Sequence, residues 1–77
     1  MTRFSIRTQC PVRSRTFDAG EFESRDVAWD EMTAMCSDMA RGIIRNHLKA
    51  NTEWRIELLD EAGKPLGRIR LLAETAA

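Results

Sequence analysis

SRDVAWDEMTAMCSDMARGIIRNHLKAN (Ser24–Asn51) is the one long periodic stretch of this chain, and its reading decides the fold. At about 100° per residue, Ala28, Trp29, Met32, Met35, Cys36, Met39, Ala40 and Ile43 fall on one side, the pattern of an amphipathic helix. Ser24 supplies the hydroxyl that an N-cap needs for the free N–H groups of the first turn. Asp26, Asp30 and Glu31 near the start, with Arg41, Arg45 and Lys49 near the end, suit the helix dipole. Burying a large apolar side chain is worth about 1.5–3 kcal/mol. In so short a chain this stripe is expected to form most of the core, with Met35 buried on it at the centre of the helix.

Two features disturb the helix. Gly42 costs about 1 kcal/mol relative to alanine in a helix interior. Beyond it, Ile44 and Leu48 point away from the stripe. A helix over Arg25–Leu48 would run about 36 Å, against about 20 Å for a six-residue strand. The expectation is a bend or break near Gly42, or burial of Ile44 and Leu48 against the Gln9–Glu23 segment or a second subunit. These two residues are the candidate subunit contact.

The flanks alternate with the period of strands. In Thr2–Thr8, Phe4 and Ile6 face one way and Arg3, Ser5 and Arg7 the other. Pro11 interrupts this run, and Val12–Phe17 reads as a short edge strand at best. Asp18-Ala19-Gly20 reads as a turn. Phe22 is placed to pack on the first helical turn as a hydrophobic staple does.

After the helix, Asn51 suits a stop, because Asn tolerates the left-handed conformation. Glu53–Leu59 alternates, with Trp54, Ile56 and Leu58 on one face. Asp60-Glu61-Ala62-Gly63 is a turn, and Pro65–Leu72 returns with Gly67, Ile69 and Leu71 on its apolar face. A three-residue loop would set Trp54 and Ile56 opposite arginines. Burial therefore calls for an even loop, or for a bulge at Gly67 that restores the pairing. Ala73–Ala77 reads as a frayed tail.

The order is strand, short strand, helix, strand, strand. The fold expected is α+β: one amphipathic helix on a three- to four-stranded, mainly antiparallel sheet, in a single domain over residues 1–77. A domain of this size buries only about 60% of its unfolded surface and is stable by a small margin. Twelve basic and twelve acidic side chains balance, so no global field draws the chain to nucleic acid or a membrane. No apolar run approaches the roughly 18 residues of a membrane span, and the N-terminus leads straight into charged residues. Cys10 and Cys36 have no metal or redox spacing and read as reduced thiols of a cytoplasmic protein.

The chain resembles a family of short bacterial proteins of unknown function with β-β-α-β-β order. The resemblance rests on Arg3-Phe4-Ser5-Ile6, on Asp18-Ala19-Gly20-Glu21-Phe22, on the capped helix Ser24 to Ala40, and most closely on the hairpin Arg55 to Leu66. It departs from the family at Gln9–Thr16, and in methionines where relatives carry alanine or leucine. The resemblance implies a fold and no activity.

Candidate sites are few. His47, the lone histidine, has no spaced metal partners. Asp60 with Glu61, and Asp30 with Glu31, are adjacent carboxylates in a turn and on a polar helix side, where they are solvated rather than catalytic. Met32, Met35 and Met39 read as core filler. The uneven feature is arginine. Alternation sends Arg3, Arg7, Arg55, Arg68 and Arg70 to the sheet face opposite the helix, with Glu57 as the acid among them. Arginine forks match phosphate and carboxylate oxygens, but no aromatic points outward beside them to stack a base. Leu59, Leu66 and Leu72 share this face, which also suits a subunit contact.

No nucleophile–base pair, metal set or phosphate loop is visible, and no cofactor is expected. The reading is a non-enzymatic binding or assembly module of the bacterial cytoplasm, with a protein partner or a second copy of itself. The alternative is an anion- or nucleic-acid-binding protein using the arginine face. No membrane association is expected.

Overall fold

The computed structural model describes residues 1–46 and 51–74. They form β1 (Thr2–Cys10), β2 (Arg13–Phe22), α1 (Arg25–Asn46), β3 (Thr52–Leu59) and β4 (Pro65–Ala73). The four strands make one sheet in the order β2-β1-β3-β4, and each neighbouring pair is antiparallel. The helix packs on one face of this sheet. The α+β architecture expected from the alternation and the single stripe is the one observed, with four strands rather than three.

Ser24 caps the helix as expected: its Oγ accepts from the Val27 N–H at 3.2 Å, and its carbonyl accepts from Ala28 at 3.1 Å. The helix runs without a break through Gly42 to Asn46. A Cβ built at residue 42 meets nothing within 4 Å, so this glycine answers no steric demand. Leu48 lies outside the described residues. Asn51, with φ of 62°, takes the left-handed conformation its side chain tolerates.

The core is Phe4 and Ile6 of β1, Ala28, Met32 and Cys36 of α1, and Ile56 and Leu58 of β3. Ile43 is buried farther along the helix. Trp29 and Phe22 pack against this cluster, and the Phe4 and Phe22 rings sit 6.1 Å apart in a tilted pair. Met35 departs from its expected burial at mid-helix: it is 36% exposed, whereas Met32 is 1% exposed. The fully buried line Ala28–Met32–Cys36 steps by four residues, and Met35 falls on its rim.

Two bulges correct the strand registers. In β2, Gly20 stands opposite Phe4 and Asp18 opposite Ser5, leaving Ala19 as the extra residue. The expected turn at Asp18-Ala19-Gly20 is therefore a bulge inside a ten-residue strand. The same chemistry serves both forms: Gly20 takes φ of 107°, and its N–H donates to Asp18 Oδ1 at 3.0 Å. In the second hairpin, the Asp60 N–H donates to the Lys64 carbonyl, which closes a three-residue loop containing Gly63 with φ of 82°. Left alone, this loop would set Ile56 opposite an arginine. A bulge at Leu66, beside Gly67, shifts the ladder so that Leu58 pairs with Gly67, Ile56 with Ile69 and Trp54 with Leu71. Burial of the apolar face thus fixes the register.

Candidate functional site

Alternation along β1, β3 and β4 sends the five arginines singled out above to the sheet face away from the helix. They do not stand there alone. Arg3 bonds Asp18 and, at 3.4 Å, Glu21. Arg7 and Arg68 bracket Glu57 at 2.9 and 3.2 Å. Arg70 bonds Glu53. Glu57 is accordingly not the lone acid of this face, because Asp18, Glu21 and Glu53 join it. Glu57 itself is 1% exposed, a buried charge held by two guanidiniums. Arg55, half-buried, has no ion pair among the described residues.

The adjacent carboxylates have structural duties or none. Asp60 Oδ1 accepts from the Ala62 and Lys64 N–H groups at 2.9 and 2.8 Å and so builds its turn. Glu61 Oε1 accepts from the Arg3 N–H at 3.2 Å. Asp30 and Glu31 are exposed on the helix. His47 lies outside the described residues. Among the described residues, no group of three or more His, Cys, Asp and Glu side chains could hold a metal ion. Cys10 and Cys36 are unbridged, and burial pushes the Cys36 thiol above its ordinary value.

The helix side of the sheet holds what sequence reasoning missed. The two-residue connection Pro11-Val12 pairs Cys10 with Arg13 and Thr8 with Arg15. Residues opposite one another share a face, so Arg13, Arg15 and Phe17 stand on the same side as the helix. Arg13 and Arg15 line a groove of about 390 Å³ beside Asp38, Met39, Ile43 and Trp54. Neither arginine has an ion pair among the described residues. Next along β2, a second groove of about 190 Å³ is lined by Phe17, Phe22, Met32, Met35 and Glu31. The signal that could have found this arrangement was the alternation Arg13, Arg15, Phe17 read through a two-residue hairpin.

Among the described residues, no strand pairs with the outer edge of β2. Every residue from Pro11 to Asp18 is exposed. Val12 is 92% and Phe17 37% exposed, and Met35 faces the same groove. An unpaired strand edge presents a row of N–H and C=O groups to any strand that can lie beside it. The opposite edge, β4, begins with Pro65 and carries the bulge at Leu66, two devices that blunt an edge. Ile44 is 58% exposed, so it does not bury against the Gln9–Glu23 segment.

No helix among the described residues is long and apolar enough to cross a membrane. Comparison with curated proteins and with solved structures finds no match. A family model does match, over residues 3–73 and so across all four strands and the helix, and the chain belongs to that family, a domain of unknown function (DUF6894).

Proposed function

We propose that this domain is a non-enzymatic assembly module that takes a partner strand along the open edge of β2. The observation that carries the reading is that edge: a strand of ten residues, exposed from Arg13 to Asp18, with apolar Phe17 and Met35 beside it. Strand addition draws its affinity from main-chain hydrogen bonds and its specificity from pockets for alternate side chains. The Phe17–Met35 groove is such a pocket. The unbridged cysteines suit a cytoplasmic setting.

The alternative, an anion- or nucleic-acid-binding role for Arg3, Arg7, Arg55, Arg68 and Arg70, is weaker because carboxylates share that face. The test is capture from a native lysate with the wild-type chain and with Phe17→Lys. Lysine on an edge strand deters pairing. Proteins held by the wild type and lost by the variant, with circular dichroism unchanged, support strand addition. Identical capture by both chains rejects it.

A further inference from the structure

We propose that the strand added to β2 is β2 of a second copy of this chain, antiparallel about a two-fold axis that passes through Thr16. The proposal rests on the edge reading above and names its occupant.

A two-fold contact must be made by a patch that complements itself. The helix side of β2 has this property. Its charge is divided: Arg13 and Arg15 outnumber Asp38 at one end, Glu31 of the helix borders the other, and Phe17 lies between. None of these four charged groups has an ion pair among the described residues. An axis normal to the sheet reverses the strand and keeps both helices on one face. It therefore brings the basic end of one copy against the acidic end of the other.

The register follows from what each choice opposes. With the axis at Thr16, Arg15 stands opposite Phe17 of the second copy, and Ser14 opposite its Asp18. The arginine stem covers the ring, and the guanidinium reaches toward Glu31 of that copy. The two Phe17 rings become diagonal neighbours, about 7–8 Å apart at the backbone, within reach of aromatic side chains. Thr16 meets Thr16, a favourable cross-strand pair. An axis at Ser14 sets Arg13 against Arg15, and one at Arg15 sets that arginine against itself. An axis at Phe17 drives Arg15 onto Ala19, where the bulge has already broken the ladder. Only the axis at Thr16 avoids opposed arginines while keeping the five residues from Ser14 to Asp18 in phase before Arg13 reaches the bulge at Ala19.

The experiment is sedimentation equilibrium of the full chain over a range of concentrations. The probe is the protein itself, with Arg15→Glu, Glu31→Arg and the double exchange. The wild type is expected at twice the 8.8 kDa chain mass. Each single reversal should raise the dissociation constant about tenfold or more, and the double exchange should recover most of the loss. Both positions are exposed, and circular dichroism confirms the fold of each variant. A second measurement fixes the register: Thr16→Cys in a Cys10→Ser background should form a disulfide-linked dimer, because directly opposed residues lie about 4.5–5.5 Å apart at Cα. A wild type that stays monomeric overturns the second copy as occupant and leaves strand addition to the Phe17→Lys capture test. A dimer indifferent to the charge reversals, or one without the Thr16→Cys cross-link, overturns the interface.

Discussion

The six-membered ring of Trp29 occupies the space that a side chain at residue 67 would need: a Cβ built on Gly67 stands 2.6 Å from Trp29 Cζ3. Helix α1 can approach β4 this closely because that position has no side chain. Gly67→Ala should therefore destabilise the domain by about 1–3 kcal/mol, the cost of overpacking a filled contact. Urea unfolding checks this. A second mutation that shrinks the ring, Trp29→Leu, should make the Gly67→Ala change cheaper in a double-mutant cycle.

Met32 and Met35 lie on the same helix stripe but have different surroundings. Met32→Ala should cost about 2–5 kcal/mol, as large-to-small changes do in a closed core. Met35→Ala should cost less than about 1 kcal/mol in the isolated chain, because water already reaches that side chain. Equal losses in thermal or chemical unfolding would contradict the packing described above.

The arginine face should not bind nucleic acid. Its five arginines sit among Asp18, Glu21, Glu53 and Glu57, so little positive potential is left for a phosphate backbone. Fluorescence titration with duplex and single-stranded oligonucleotides at low salt is expected to show no binding. Binding with a log–log salt slope near −2 to −3, flattened by about one unit in Arg55→Ala or Arg68→Ala, would restore that reading.

The two thiols should react at very different rates. Burial raises the Cys36 pKa above the ordinary 9.0, so its thiolate is scarce and shielded, whereas Cys10 is only partly covered. Alkylation at neutral pH should label Cys10 first and reach Cys36 only on unfolding. The linkage has a definite sign. The unfolded thiol ionises before the folded one, so this group's contribution is intact below the ordinary thiol pKa and falls away as pH rises through it. Cys36→Ala should flatten that alkaline decline in a pH series of melting curves.

Much of this structure is legible in the sequence, for physical reasons that differ from residue to residue. Phe4 with Ile6, and Trp54 with Ile56 and Leu58, declare their faces by simple alternation, and Ser24 declares the helix start by its hydroxyl. Met35 misleads because angle alone cannot say where on a wide stripe the sheet makes contact. Asp18-Ala19-Gly20 misleads because an aspartate capping a glycine N–H serves turns and bulges equally. The acids Asp18, Glu21 and Glu53 become partners of Arg3 and Arg70 only once strands distant in sequence are laid side by side. The open edge at β2 is likewise a property of strand order, and no local pattern around Arg13–Phe22 encodes which strand is outermost.

The bulge at Leu66 has a consequence for chain length. The ladder passes from Leu59–Pro65 directly to Leu58–Gly67, so Leu66 has no cross-strand counterpart. A chain lacking Leu66 would bring Pro65 and Gly67 together and keep every later pair in phase. A chain lacking Gly67 or Arg68 could keep Ile56 opposite Ile69 only by closing the bulge, which would set the Leu66 side chain where Gly67 now meets the Trp29 ring. The second hairpin thus contains one residue that can be removed without cost to the helix contact, and a deletion at its neighbours would disturb either the register or that contact.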